Sequence, residues 1–221
     1  MQTKITECQR CGTCCRKGGP ALHHQDRELI TAGHLTFPQL ITIRAGEFAH
    51  NPISDKSEPV KQELIKLAGR GREWACCFLG SDDACTLYQH RPQECRLLQC
   101  WDTAAICAVI GQDYLTREHL IRPDDPLLKL VRQHERECPW GALAELTSRT
   151  TDKKEDSARL SGLSRLINRD LEIRRRAVVE FKLGVAVELF VFGRPIFTAL
   201  AALGLHIQET PDGNIMVSRA N

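Results

Sequence analysis

The chain has 221 residues, of which 42% are hydrophobic, and its formal net charge at pH 7 is +2. This length suffices for one large domain or two small ones, and a core of that size is stable without disulfides. The 30 basic and 28 acidic residues are mixed along the chain, which is not the charge pattern of a polyanion-binding protein. We therefore expect no nucleic-acid partner.

Eleven cysteines are present, and ten of them lie between residues 8 and 107. The first residues, MQTKITECQ, lack the basic stretch and apolar run of a secretory signal, which predicts a cytoplasmic protein. In a reducing compartment this many cysteines indicates metal binding or redox chemistry rather than a disulfide scaffold. We expect the chemistry of the protein in its N-terminal half.

Three elements are predicted between the first and second cysteine groups. Residues 22–33 (LHHQDRELITAG) fit a helix that ends near their glycine. The β-branched residues at 41–43 predict a strand. Residues 63–69 (ELIKLAG) predict a further strand or hairpin, which would deliver Cys76 to a metal site.

The middle of the chain is predicted to be mostly helical. Pro92 suits the first turn of a short helix that carries Cys95, because a residue at that position needs no N–H partner. Residues 126–138 predict a longer helix that ends before Pro139. The polar segment 147–157 is the best candidate for a linker, since it lacks large apolar residues.

The C-terminal part shows helical periodicity followed by a turn signal. Residues 158–190 repeat apolar positions at helical spacing and predict one or two amphipathic helices, with the arginines at 174–176 on a solvated face. The apolar stretch 184–205 is interrupted by charged residues and a proline, so two packed helices meeting at Gly193 are favoured over a membrane span. The PDG sequence at 211–213 predicts a closing β-hairpin.

These elements predict an α+β fold. Its first part, residues 1–146, is a small, irregular, cysteine-rich metal-binding domain. Its second part, residues 158–221, is a helical segment that ends in a β-hairpin and can pack as one body with the first. We expect no membrane partner.

The first cysteine block has the pattern of a metal knuckle. Cys8, Cys11 and Gly12 form CxxCG, in which two thiolates bind one metal and glycine allows a positive φ. Cys14 and Cys15 are adjacent, and successive side chains diverge in both helices and strands. These two cysteines are therefore predicted to have different roles or to bind different metals.

Several common patterns are absent from the sequence. A bacterial ferredoxin run needs a cysteine where this chain has Gly18, and no CxxxCxxC of radical S-adenosylmethionine enzymes occurs. Glycine-rich cofactor loops, HExxH and nucleophile signatures are also missing, which leaves open whether the protein is an enzyme. His23 and His24 fit a solvated helix start better than a ligand pair.

Three blocks together resemble the YkgJ-type cysteine cluster family, also described as CxxCxxCC or zinc/iron-chelating domain proteins. The blocks are CxxCGxCC, then CxFL, then CxLYxxRPxxCRxxxC, and they cover roughly residues 7–101. The matching residues are Cys8, Cys11, Gly12, Cys14, Cys15, Cys76, Phe78, Leu79, Cys85, Leu87, Tyr88, Arg91, Pro92, Cys95, Arg96 and Cys100. The resemblance implies that the metal ligands are Cys8, Cys11, Cys14, Cys15, Cys76, Cys85, Cys95 and Cys100.

The resemblance implies a cofactor class but no reaction. Family members hold zinc or an iron–sulfur cluster, and a related domain occurs in flagellin lysine N-methylases. Eight thiols satisfy one 4Fe-4S cluster with four to spare, or two four-thiolate sites. We favour the iron–sulfur cluster over zinc, because a structural zinc site needs only four ligands. Arg91 or Arg96 would offset the negative charge of such a cluster.

Three function classes follow from this cofactor class. The favoured one is a redox or enzyme-assisting metalloprotein with a protein partner. The first alternative is a zinc-binding structural or protein-interaction module, and the second is a methyltransferase-related or other enzyme accessory protein.

Three cysteines depart from the family pattern. Cys77 is predicted to be a buried apolar thiol, and Cys107 is predicted to lie in the core because its neighbours are apolar. Cys138 follows His134 by four residues, and this HxxxC spacing can chelate a metal. Chance occurrence is the favoured explanation for that pair.

Overall fold

The structure is a computed structural model, and it describes residues 6–148, 150–200 and 203–219. The fold is α+β, as the sequence predicts. The helices are α1 (Thr13–Arg16), α2 (Arg27–Thr31), α3 (Gln93–Leu97), α4 (Ala104–Cys107), α5 (Arg117–Leu120), α6 (Pro126–Glu137), α7 (Trp140–Thr147), α8 (Lys153–Phe181) and α9 (Glu188–Phe192). The strands are β1 (Leu40–Ile43), β2 (Phe48–Asn51), β3 (Lys56–Pro59), β4 (Leu64–Leu67), β5 (Gly69–Arg70), β6 (Ala75–Cys76), β7 (Leu205–Glu209) and β8 (Ile215–Arg219).

Within the described residues the strands form two-stranded antiparallel sheets: β1 with β4, β2 with β3, β5 with β6, and β7 with β8. In the most buried of them, β1 and β4, Leu40 stands opposite Leu67 and Ile43 opposite Leu64. Strand β4 continues almost directly into the β5–β6 hairpin. The central sheet therefore fixes where the second cysteine group begins.

The predicted elements between the cysteine groups are confirmed. A 3-10 turn at His24–Asp26 runs into α2, and Gly33 follows with a φ of 76°. Strand β1 contains the β-branched run at 41–43. Strands β4, β5 and β6 lead to Cys76 as expected.

The predicted helices around residues 92–138 are also confirmed. Pro92 directly precedes α3, which carries Cys95 and ends at Leu97. Cys100 therefore lies beyond the helix, in a turn bridged by Gln99 and Asp102. Helix α6 ends one residue before Cys138.

The predicted linker is too long. Helix α7 ends at Thr147 and α8 begins at Lys153, so residues 153–157 of the predicted linker are helical. Asp152 caps α8 by accepting hydrogen bonds from the backbone N–H groups of Lys154 and Glu155, at 2.8 and 3.3 Å. This cap lets the charged sequence KKEDS form the first turns of a 29-residue helix.

Two expectations for the C-terminal part need correction. Arg174 does not lie on a solvated face: it is 4% exposed and pairs with Asp170 and Glu188. Gly193 ends α9 with a φ of 68°, but a 3-10 turn rather than a second helix follows at Ile196–Ala199. Residues 201–202 of that stretch lie outside the described residues. The closing hairpin of β7 and β8 is confirmed.

One main hydrophobic core contains side chains from both sequence regions. Leu22 and Leu128 from the N-terminal region join Ile167, Phe192 and Val217 from the C-terminal region in the same cluster. Helix α8 packs on α6, α7 and β8, and α9 packs on β1. A division into residues 1–146 and 158–221 stays a prediction. No helix in the described part of the chain has both the length and the apolarity that a membrane crossing requires.

Buried arginines tie the elements of this core together. Arg44 and Arg117, at most 1% exposed, both donate to Glu135 on α6, over 2.7 and 2.5 Å. Arg117 also binds Glu63, the residue before β4. Because each guanidinium is paired, these charges are compatible with burial.

Candidate metal centre

The first cysteine block is held against the turn at residues 79–83. Gly12 precedes α1 with a φ of 69°, and a Cβ at this position would lie 3.1 Å from both the carbonyl oxygen of Asp83 and the side chain of Leu79. Arg16 in α1 forms an ion pair with the Asp83 carboxylate. The glycine in CxxCG therefore allows both the positive φ and the close approach of the segments.

The second cysteine group is shaped by short backbone pairings. Cys76 pairs with Gly69 in the β5–β6 hairpin, and Leu79 forms an isolated bridge with Cys85. The Leu79 backbone N–H donates to the Cys76 carbonyl over 2.9 Å. This tight reversal brings Cys76 and Cys85 close together. Helix α1, which belongs to the first cysteine block, packs on β6.

Five cysteine side chains from these segments and α3 interact with one another. Burial, together with the neighbouring thiols of Cys14 and Cys76, raises the pKa of Cys15 to about 12. Burial also raises the pKa of Cys95, and the thiols that add to this shift are those of Cys76, Cys15, Cys85 and Cys14. We refer to Cys14, Cys15, Cys76, Cys85 and Cys95 as the inner cysteine group.

The donor set of the inner cysteine group fits a thiolate-bound metal. Without a cation the thiolates would repel one another in a partly desolvated site, which is why the thiol form is favoured. A bound metal reverses this preference, because it neutralises the thiolates that it coordinates. Among the residues that the structure describes, no three metal-binding side chains stand in a coordinating arrangement. The five thiols are therefore neighbours, but their sulfur atoms would have to move closer together to coordinate one metal.

The other three matched cysteines stand apart from the inner cysteine group. Cys8, Cys11 and Cys100 are exposed, as Cys14 of the inner cysteine group also is, but they are not among the thiols that raise the pKa of Cys15, Cys85 or Cys95. The Sγ atom of Cys11 lies 3.2 Å from the hydroxyl oxygen of Thr13, and hydrogen bonds from Thr13 lower the pKa of this thiol. Within the described residues the structure places no three of the eight predicted ligands in a coordinating arrangement, so the set of eight stays a prediction.

The three cysteines outside the family pattern have different environments. Cys77 is 6% exposed, so its predicted burial is confirmed, but its thiol hydrogen-bonds to that of Cys76, which lowers the pKa of Cys77 and raises that of Cys76. Cys107 is exposed, so its prediction as a core residue is wrong: the short helix α4 turns this side chain outward. Cys138 is fully buried, and its neighbour His134 binds Asp170 over 2.6 Å. Among the charged groups that shift the pKa of Cys138, none belongs to the inner cysteine group.

A buried polar contact supports α3 beside Cys95 and was missed by sequence reasoning. His23 is 2% exposed rather than solvated, and its Nε2 atom lies 3.3 Å from Oε1 of Glu94. The second carboxylate oxygen of Glu94 accepts a hydrogen bond from the Ala21 backbone N–H over 2.8 Å. The acidic residue in the first turn of a predicted helix was a visible signal, but nothing local indicated its partner.

The cleft beside α5 and α6 is not part of this centre. It has a volume of about 530 Å³, and its walls include the paired residues Glu63, Arg117 and Glu135. It therefore belongs to the buried ionic core.

An α+β fold in which three chain segments bring their cysteines together defines a cysteine-rich metal-binding protein. A family model described as "CxxCxxCC: Putative zinc- or iron-chelating domain" matches residues 7–138, which is more than half of the chain. The chain belongs to this CxxCxxCC family, and the resemblance found in its cysteine blocks is confirmed. No curated protein and no solved structure matches the chain. Metal binding, with zinc or iron, is the general function that the family defines.

Proposed function

We propose that the protein binds an iron–sulfur cluster, with 4Fe-4S favoured, through the inner cysteine group. The observation that carries this proposal is the backbone geometry that places Cys85 beside the turn at Cys76 and packs α1, with Cys14 and Cys15, on β6. The pKa values of Cys15 and Cys95, which burial and these neighbouring thiols raise, agree with it. Four thiolates complete the ligand set of a 4Fe-4S cluster. The group therefore has one thiol beyond the four that either a cluster or a zinc ion needs.

The proposed role is redox, either as an electron carrier or as an assistant to an enzyme in the cytoplasm. A bound cluster would supply one-electron chemistry, and its potential depends on nearby charge and solvent exposure. The positive charge of Arg70 works to lower the pKa of the Cys76 and Cys77 thiols. The charge of Arg91 does the same for the thiol of Cys85. These arginines would offset the negative charge of a metal–thiolate centre.

A zinc-binding structural module is the second candidate. It is supported by the scarcity of regular structure in the first cysteine block, where α1 has only four residues and none of them is buried. A segment with so few apolar contacts gains more from a metal than from packing. In this case metal removal would unfold the block.

Metal analysis of anaerobically purified protein tests the proposal. We expect iron and sulfide in equal amounts, visible absorbance, and Mössbauer and EPR spectra of a 4Fe-4S cluster. A colourless protein with stoichiometric zinc would overturn the iron–sulfur proposal in favour of the second candidate.

Cysteine variants test which thiols bind the metal. Serine is placed in turn at Cys14, Cys15, Cys76, Cys85 and Cys95, and it should abolish cluster retention at the four ligand positions and spare it at the fifth. Serine at the exposed Cys8 or Cys100 should leave the iron content nearly unchanged. Equal losses in both sets would contradict the assignment to the inner cysteine group.

A further inference from the structure

Four residues form a charged surface beside the inner cysteine group, and we refer to Arg10, Tyr88, Arg91 and Arg96 as the arginine–tyrosine surface. The guanidinium carbon of Arg10 lies 4.4 Å from the centre of the Tyr88 ring, and that of Arg91 lies 3.8 Å from it. Arg91 also donates through Nε to the Tyr88 carbonyl oxygen, over 3.0 Å. Arg96 donates to the Arg91 carbonyl oxygen over 2.7 Å.

These contacts gather three cations that no salt bridge within the described residues neutralises, although the charge of the buried Asp26 reaches Arg96. Cation–π stacking and hydrogen bonds to carbonyl groups hold the guanidinium groups in place, but neither supplies a negative charge. No carboxylate forms a salt bridge with Arg10, Arg91 or Arg96 within the described ranges. Stacked guanidinium groups keep N–H donors available for a planar carboxylate.

The absence of partners here differs from the rest of the chain. Of the six arginines in segments 7–19 and 69–102, only Arg16 has a salt bridge among the described residues. Elsewhere ten of the fourteen described arginines are paired. Unpaired arginine is thus concentrated around the cysteines rather than spread over the surface.

The arginine–tyrosine surface borders the candidate metal centre. The Tyr88 backbone N–H donates to the Cys85 carbonyl oxygen over 3.2 Å, and Arg96 directly follows Cys95. A molecule bound on this surface would therefore lie close to the inner cysteine group. Tyrosine and arginine are also the residue types that most often dominate binding energy at protein interfaces.

We propose that the arginine–tyrosine surface docks a partner protein through an acidic patch, whose carboxylates pair with the guanidinium groups. This deepens the proposed function and rests on it, because docking here places the partner beside the metal centre. An acidic protein is favoured over a nucleic acid because the chain is nearly neutral overall and Tyr88 is the sole aromatic ring in the stack. Complementary charge of this kind mainly accelerates and orients association.

A polyglutamate peptide serves as the probe for an acidic partner surface. Its binding to the full-length, metal-loaded protein is measured by fluorescence anisotropy at low and at physiological salt. We expect salt-sensitive binding that weakens roughly fivefold in the double variant Arg10→Gln/Arg91→Gln, as the loss of two charge contacts predicts, one at the exposed Arg10 and one at the half-buried Arg91. The matched control is Arg165→Gln/Arg175→Gln, which removes two exposed and unpaired arginines of α8 and should change nothing.

Two outcomes would overturn the docking surface. One is equal peptide affinity, or no peptide binding at low salt, in the wild type and the double variant. The other is tighter binding of a single-stranded DNA of the same length, which would indicate a nucleic-acid partner. Metal content is measured for every variant, so failure of the metal centre is distinguished from failure of docking. If the double variant loses metal, the exposed Arg10→Gln single variant decides the question.

Discussion

The Nε2 atom of His134 lies 2.6 Å from Oδ1 of Asp170, and both side chains are fully buried. This pair joins α6, within the family-matched region, to α8 outside it. Asp170 also accepts hydrogen bonds from Nε of Arg174 and from the Ile196 backbone N–H, over 2.9 and 3.0 Å. One carboxylate therefore connects three parts of the chain.

Removal of this charge should destabilise the whole fold. We expect Asp170→Asn to lower the free energy of unfolding by about 3 kcal/mol, because Arg174 would lose a buried counter-charge. Asp124→Asn is the control: Asp124 pairs with Arg122 at the surface, so its loss should leave the free energy of unfolding nearly unchanged. Denaturant unfolding measures both values, and similar losses would contradict the connecting role of Asp170.

Stability should fall on mild acidification because of His134. Burial lowers the pKa of this imidazole, and the positive charges of Arg44 and Arg174 lower it further. The hydrogen bond to Asp170 raises the pKa, but it does not outweigh these effects. Below about pH 6.5 the unfolded chain therefore binds a proton that the folded chain does not, which costs at most about 1.4 kcal/mol per pH unit. Unfolding of His134→Gln across this range should show a shallower slope, and an unchanged slope would refute the prediction.

Asp170 should contribute in a lower pH range. Burial alone would raise its pKa, but the hydrogen bond from His134 and the charge of Arg174 lower it overall. A depressed carboxyl pKa stabilises the fold above the unfolded value of about 3.9, and this contribution is lost as pH falls through the folded value. Acid unfolding of Asp170→Asn should lack this step, whereas Asp124→Asn should keep it.

Gly12 should matter for metal retention beyond its backbone conformation. An alanine at a φ of 69° costs about 1 to 2 kcal/mol, and its Cβ would press against Asp83 and Leu79. We expect Gly12→Ala to release metal to a chelator faster than the wild type does. Gly33→Ala is the matched control, because Gly33 has a similar φ of 76° with nothing within 4 Å of the added Cβ. Equal release from both variants would show that the close approach is irrelevant.

Cys107 and Cys138, which lie outside the family pattern, should respond differently to substitution by serine. Cys138→Ser should destabilise the protein by about 1 to 3 kcal/mol, because the hydroxyl enters a fully buried position. Cys107→Ser should change stability by less than about 0.5 kcal/mol, since that side chain is exposed. Neither variant should change the metal-to-protein ratio, and a loss of metal in Cys138→Ser would add this residue to the ligands.

Local patterns predicted most of the secondary structure. Helix α6, strand β1 and the β7–β8 hairpin were found from periodicity, β-branched residues and the PDG turn, because each signal lies within the element that it specifies. The linker at 147–157 was overestimated because polar composition alone does not reveal that Asp152 caps a helix. Local reasoning therefore located elements better than it located their ends.

Burial was predicted less well than secondary structure. His23 was expected in solvent but contacts Glu94, which lies 71 residues later in the chain. Arg174 was expected on a solvated face but is buried by partners on α8 and α9. The partner of His23 is distant in sequence, so no local pattern carries that contact. For Arg174 the i,i+4 pairing with Asp170 is local, but the burial of both residues depends on packing against α6 and α9.

The sequence by itself determined the cysteine blocks, their spacing and thus the family, because ligand type and spacing are properties of neighbouring residues. Only the tertiary structure brought Cys14 and Cys15 near Cys76, Cys85 and Cys95. Their proximity depends on the β1–β4 pairing, on the reversal at Cys76 and on the close approach at Gly12, which together close the long loop between the two cysteine groups. The relative positions of the thiols are determined by how the backbone segments pack, and the spacing of cysteines along the chain does not specify that packing.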